Sequence, residues 1–137
     1  NATGLSIYLP TRGRVSNRYT TASWASLTEW DEMLAVQGII VGTPVRFGDV
    51  DWQIKRLFDI TALQDYPGPL SGKVGGAFTG GGRPGSGAEL ALLSMLHILL
   101  NHGMVIQGNA HSSHYGPVAL GESAPAEVES ICNAWGR

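Results

Sequence analysis

The chain has 137 residues, a formal net charge of −2 and 15% charged residues. That is enough length for one domain with a sizeable core, and too little positive charge to argue for nucleic acid or an anionic membrane surface as a partner. The longest apolar stretch, Ala88 to Leu100, is broken by Glu89, Ser94 and His97 and is too short to cross a bilayer. 

Leu5 to Leu9 alternates and reads as a strand stopped by Pro10. Thr11 to Ser23 is polar and without a period, and reads as a loop. Ser26 and Glu29 stand at capping-box spacing and open a short helix running to about Leu34. Val36 to Val41 is an apolar run that reads as a buried strand. It ends in Gly42-Thr43-Pro44-Val45-Arg46-Phe47-Gly48. A helix is expected over Asp51 to Thr61 from the spacing of Trp52, Ile54, Leu57 and Phe58. Tyr66-Pro67-Gly68-Pro69 is a turn, and Lys73 to Thr79 a short strand entering Gly80-Gly81-Gly82-Arg83-Pro84-Gly85-Ser86-Gly87. Ala88 to Asn101 gives the clearest helix, and its leucine sets leave so little polar surface that it is expected to be mostly buried, with His97 packed. Gly103 ends it, and Met104-Val105-Ile106 starts the next strand. Ser123 caps a last helix from Pro125 to Trp135, with Glu127 and Glu129 at its positive end. Cys132, the single cysteine, excludes an internal disulfide and a multi-cysteine zinc site. It fits a reducing, cytoplasmic setting and is expected to be a small apolar residue of that helix.

Strands alternating with helices over short connections argue for a single α/β domain, residues 1–137, built on a parallel, doubly wound sheet. Three glycine-bearing loops, Gly42–Gly48, Gly80–Gly87 and Gly108–Gly116, each follow a strand. In a parallel sheet they share the carboxyl edge, where such folds bind ligands. Gly80-Gly81-Gly82 lets backbone N–H groups approach a ligand just before a helix amino end. The four histidines have no paired carboxylates at ligand spacing, so no metal is expected. His111 and His114 read as exposed loop residues, and Asp49, Asp51 and Glu89 as caps or helix-start acids. Arg46 either contacts the ligand or pairs with one of those acids.

These motifs carry a resemblance. Gly42–Gly48 resembles the GTPxRFG loop of the WrbA-type NAD(P)H:quinone oxidoreductases, within the flavodoxin-like superfamily. Gln53 to Asp59, Pro69-Leu70-Ser71-Gly72-Lys73, Thr79-Gly80-Gly81-Gly82 with Gly87-Ala88-Glu89, and His102-Gly103-Met104-Val105-Ile106 are similar to later segments of the same family, in the same order. The resemblance covers roughly Trp30 to Gly116. It implies a flavodoxin-like fold with strand order 2-1-3-4-5, FMN as cofactor, and electron transfer from NAD(P)H as co-substrate to a quinone-like small molecule. The flavin would carry the chemistry, so no catalytic side chain is expected. By resemblance, Pro44, Val45, Arg46, Phe47 and Gly48 would lie along the flavin ring. Thr79, Gly80, Gly81 and Gly82 would offer backbone donors to its pyrimidine edge, and His102 would approach from a helix end. A homo-oligomer, dimer or tetramer, is implied as well. The alternative is a flavodoxin-like electron-transfer or non-catalytic subunit with weakened or lost FMN binding, although a flavodoxin carrier is normally more acidic than this chain.

Two features depart from the family. The indole beside its quinone site would fall near Asp65, with Tyr66 adjacent. At the amino end, either Leu5–Leu9 is the first strand and Thr11-Arg12-Gly13-Arg14-Val15-Ser16-Asn17 a degenerate phosphate loop, or Leu5–Leu9 is the second strand. The second reading is favoured here. It leaves the first strand, phosphate loop and first helix out of the chain, makes the domain incomplete at both ends, and predicts a gap in the sheet between Leu5–Leu9 and Val36–Val41.

Overall fold

The computed structural model describes residues 5–7, 33–61, 68–110, 112–121 and 126–135. They form β1 (Leu5–Ile7), β2 (Gly38–Pro44), α1 (Trp52–Thr61), β3 (Val74–Gly81), α2 (Ala88–Asn101), β4 (Val105–Ile106), β5 (Val118–Leu120) and α3 (Ala126–Trp135). Residues 33–35 are helical and lead into β2. The expected cap Ser26, the loop Thr11–Ser23, the turn at Tyr66, His111, and Ser123 with Pro125 lie outside the described residues.

Every strand pairing is parallel. β1 pairs with β2 and β2 with β3, while β4 and β5 both pair with β3. β4 matches the start of β3 (Val74↔Val105) and β5 its end (Thr79↔Val118), so one strand position is split in two by the connection between them. The gap expected beside Leu5–Leu9 is not there. Leu5, Ser6 and Ile7 pair directly with Ile39, Ile40 and Val41. In a 2-1-3-4-5 sheet the neighbour of strand 3 on that side is strand 1. Among the described residues no strand separates β1 from β2, so β1 takes the position that strand 1 holds in that order.

β2 is rich in β-branched residues; it alternates at its start, burying Ile39 and Val41 and turning Ile40 outward, and is buried throughout from Val41 to Pro44. It runs three residues further than the sequence suggests, through Thr43↔Thr79 to Pro44↔Gly80. Proline, lacking an N–H, is tolerated at such an end. Glycine at position 42 is required by packing, because a Cβ there would lie 2.2 Å from the Phe78 ring. α1 starts on Asp51, whose Oδ1 accepts the Gln53 N–H at 3.1 Å. It buries Ile54, Leu57 and Phe58 at i, i+3, i+4.

α2 buries Ala88, Ala91, Leu92, Met95, Leu96 and Leu99. It is less buried than its composition suggests: Leu90, His97 and Leu100 are exposed on one stripe at helical spacing. A helix lying on one face of a sheet buries one stripe, and here even the opposite stripe carries leucines. Gly103 at φ 74 closes the helix, with Met104 N–H donating to Leu99 O and Gly103 N–H to Leu100 O. The core joins the helical segment, β2, α1, β3 and α2 through Met33, Val41, Phe58, Ala77, Met95 and Leu99. Lys73 Nζ ties the segment before β2 to the start of β3 by donating to Leu34 O at 2.6 Å and Val36 O at 2.5 Å. Cys132 lies in α3 as expected, but it is exposed. Among the described residues no helix is long and apolar enough to cross a membrane.

Candidate functional site

The carboxyl ends of β2, β3 and β5 meet around one cleft of about 210 Å³, lined by Pro44, Val45, Arg46, Gly80, Gly81, Gly82 and Gly121. Val45 N–H donates to Gly80 O at 3.0 Å, which carries the β2 pairing one residue past Pro44. Arg46 and Asp49 then exchange two backbone hydrogen bonds (2.9 and 3.0 Å) across Phe47 and Gly48. Both central residues have positive φ, 51° and 83°, the signature of a type I′ turn. Gly48 fits it freely, whereas Phe47 is a bulky residue held in the left-handed region with its side chain wholly in solvent (111% exposed). Such strain gathers at functional sites.

The turn rests on the start of α2. A Cβ at Gly87, the left-handed cap of that helix (φ 86), would sit 2.6 Å from Gly48 Cα. Gly81 is hemmed in by Ser86 Oγ, 2.5 Å from where a Cβ would stand, whereas a Cβ on Gly82 would meet nothing within 4 Å among the described residues. The glycines thus have different reasons: Gly81 and Gly87 for packing, Gly82 for the empty volume above it.

A buried polar chain fixes this edge from below. Thr79 Oγ1 donates to Thr43 O at 2.8 Å, and Thr43 Oγ1 accepts the Asp51 N–H at 3.0 Å. Asp51 is 6% exposed. Its Oδ2 accepts Arg46 Nε at 3.1 Å while Oδ1 caps α1. Of the two roles left open for Arg46, pairing with a helix-start acid is therefore realised, and the residue lines the cleft at the same time.

Of the expected site residues, Pro44, Val45, Arg46, Gly80, Gly81 and Gly82 line the cleft, and Phe47 and Gly48 form the turn at its lip. Thr79 lies beneath it, and its N–H is taken by Pro117 O at 3.0 Å. Its part is to brace β2 against β3, and it has no backbone donor to offer a ligand. His102 is not brought to the cleft within the chain. α2 runs antiparallel to the strands, so its end lies at their amino edge, where Gly72 N–H donates to Gly103 O and Val105 N–H to Lys73 O. The cleft is at the other end of β3, about 23 Å away at the strand rise per residue. There His102 is buried against Phe58, ring centroids 5.3 Å apart in a T-shaped contact. Burial lowers its pKa, opposed by a backbone hydrogen bond at Phe58 and by the Asp59 charge. Gly121, at the end of β5, belongs to the cleft and escapes the sequence reading, because a three-residue strand gives no period to find. His114 is exposed and bonds Asn109 O at 2.7 Å. Among the described residues no cluster of His, Cys, Asp or Glu could hold a metal.

A wider depression of about 540 Å³ runs along α3, walled by five residues of that one helix. Among the described residues no second element closes it, so they offer no convergent groups there. The strand-end cleft does, and three observations fit a planar aromatic ligand there. Its walls are mostly backbone, Gly82 leaves space above them, and Ser86 Oγ beside Gly81 is buried with no partner among the described residues. At 210 Å³ the cleft is smaller than a pocket that swallows a whole ligand; it suits a ring system.

Residues 11–116 match the model of the NADPH-dependent FMN reductase family. Among curated relatives, a flavodoxin of Aquifex aeolicus is 35% identical over 113 residues, covering 78% of this chain and 60% of its own length. An NAD(P)H dehydrogenase (quinone) of Archaeoglobus fulgidus is 38% identical over 98 residues, 66% of this chain and 51% of its own. The chain spans about half the length of the curated relatives it matches. Among solved structures, the WrbA-like flavodoxin of Agrobacterium tumefaciens superposes with a TM-score of 0.64 at 22% identity, covering 80% of this chain and 72% of that one. A Fusobacterium nucleatum flavodoxin bound to flavin mononucleotide gives 0.57 at 15% identity, with 77% and 71% covered. These structural likenesses show the flavodoxin-like fold.

Proposed function

The chain belongs to the family of NADPH-dependent FMN reductases, and on that premise we propose that its strand-end cleft holds the ring of FMN and that the protein passes electrons from NAD(P)H to a quinone. The observation that carries this reading is the cleft itself: three parallel strand ends, four glycines and one arginine around a space of ring size. Bound there, FMN supplies the two-electron chemistry. The protein's share is binding and access. Pro44 and Val45 give the ring an apolar edge, Gly80 to Gly82 bring backbone within reach of its polar edge, and Phe47 stands free at the lip where a second planar molecule would arrive. The names of the quinone-reducing relatives support the acceptor class. A homo-oligomer in the cytoplasm completes the proposal. Leu90 and Leu100 exposed on α2, with Trp52 exposed on α1, support the oligomer.

The identity to a flavodoxin favours a second reading, an FMN-binding carrier without its own NAD(P)H chemistry. One experiment tests both. The purified protein, reconstituted with FMN if colourless, is followed by visible absorbance during addition of NAD(P)H and then of a benzoquinone. Flavin bands that bleach with NAD(P)H and return with the quinone support the reductase. Flavin bands that NAD(P)H leaves unchanged point to the carrier, and a chain that takes up no FMN overturns both.

A further inference from the structure

Among the described residues that line the cleft, Arg46 is the single charged one, so its state bears on what charge the cleft presents. Its Nε is held at 3.1 Å by Asp51 Oδ2, and the two side chains are unequally exposed, 55% for Arg46 and 8% for Asp51. The carboxylate is therefore the fixed member. It is buried, and both oxygens are occupied, one by the helix amide of Gln53 and one by the guanidinium. Its backbone is held as well, by the Asp51 N–H on buried Thr43 Oγ1. The ion pair is a built part of the cleft wall, unlike two flexible surface side chains that meet in solution.

A guanidinium alone on that wall would draw anions into a small glycine-walled space. Paired, it keeps its shape and donors but carries little net charge toward the cleft. The geometry points to Asp51 as a positioning and specificity-determining residue that holds Arg46 over the cleft and mutes its charge, so that the site selects uncharged planar acceptors over anionic ones. This inference rests on the proposed quinone reduction for its substrate class, but the electrostatic part is testable without turnover.

Asp51→Asn separates charge from structure. Asparagine caps a helix as well as aspartate does, so its carbonyl stays on the Gln53 amide, its NH₂ faces Arg46, and the guanidinium is released. Asp51→Ser, also a good cap, is the second variant should asparagine disturb folding; circular dichroism checks both. The first readout is equilibrium titration of the flavin-free chain with a naphthalenesulfonate, followed by its fluorescence. Roughly five- to tenfold tighter binding is expected in the variant, the scale of one partly screened charge, and the gain should vanish in 0.5 M salt. The second is the ratio of kcat/KM for a sulfonated naphthoquinone to that for an uncharged benzoquinone. It should rise by a similar factor through KM, and the change should be lost when Arg46→Gln is combined with Asp51→Asn. Sulfonate binding and an acceptor ratio that both match the unsubstituted chain would overturn the inference. Failure of the unsubstituted chain to reduce any quinone would instead remove the proposed function, and the titration then decides the charge argument by itself.

Discussion

Gly87→Ala tests whether the turn at the lip of the cleft is nailed to the start of α2. Two costs add there. Residue 87 has φ 86, and an alanine in the left-handed region costs about 1–2 kcal/mol. Its Cβ would also lie 2.6 Å from Gly48 Cα, a backbone atom that cannot rotate away. Restoring ordinary contact needs a shift of about 1 Å, on the scale of overpacking strain, roughly 1–3 kcal/mol. The sum is about 2–5 kcal/mol. Gly85→Ala supplies the control two residues away: φ is 76, and nothing lies within 4 Å of its Cβ, so only the first cost applies. Urea unfolding followed by circular dichroism should put the Gly87 variant at least 1 kcal/mol below the Gly85 variant, which for a domain of this size is about 4 °C in Tm per kcal/mol. FMN affinity should fall in the Gly87 variant, because the Phe47–Gly48 turn is the part displaced, and hold in the other. Equal stability of the two variants would show that Gly48 does not rest on Gly87.

The other expected outcomes are these. Gly82→Val should leave the fold intact, since nothing lies near its Cβ, while filling the space over the loop and abolishing FMN retention in a flavin-release assay; Gly81→Val should lower stability too, because Ser86 Oγ stands 2.5 Å away. Phe47→Gly should raise stability by about 1 kcal/mol by relieving the positive φ, and weaken FMN binding by titration. Thr79→Val removes the hydroxyl that holds Thr43 O inside the sheet; thermal unfolding should show a loss of about 1–3 kcal/mol, and Thr79→Ser should restore most of it. The pKa of His102 is lowered from 6.5 by burial. The unfolded chain therefore takes up that proton first, and stability falls as pH drops from 6.5 towards the folded value. His102→Asn should flatten that limb in a series of urea midpoints against pH.

The parallel sheet and the loops after β2 and β3 are legible because their signals are local, whereas Gly108–Gly116 connects β4 to β5 and Gly121 lines the cleft in its place. An apolar run ending in Gly-Thr-Pro can only be a strand leaving a sheet, and Ala88 to Asn101 can only be a helix. What escaped was set by partners distant in sequence. β5 has three residues and exists because Thr79 to Gly81 offer it an edge. The place of β1 beside β2 is a pairing, and no pattern within Leu5–Leu9 could reveal it. The expected burial of His97 failed because α2 covers one face of the sheet with one stripe, whatever residues its outer stripe carries. Motif similarity puts His102 near the ring, but within one chain a helix that follows β3 must run back along the sheet, so the glycine loop at its start and the histidine at its end lie at opposite edges. Thr79 was misassigned for a subtler reason. Its amide is already spent on Pro117, a fact fixed by a chain segment almost forty residues on.

The division of labour at the cleft follows from these constraints. Four of the seven residues that line the cleft are glycines, which have no side chains with which to stiffen the wall or to discriminate. Both tasks pass to the residues beneath. Thr79 braces the end of β2, Thr43 receives the backbone of Asp51, and Asp51 at once starts α1 and holds Arg46. Each link is a single hydrogen bond worth about 1 kcal/mol on average, yet they run in series from the sheet to the rim. Loosening one moves the next, and the guanidinium is the last link. The position of the charge that Arg46 brings to the cleft is thus inherited from the pairing of two strands, which is why substitutions under the site should alter what it binds as surely as substitutions facing it.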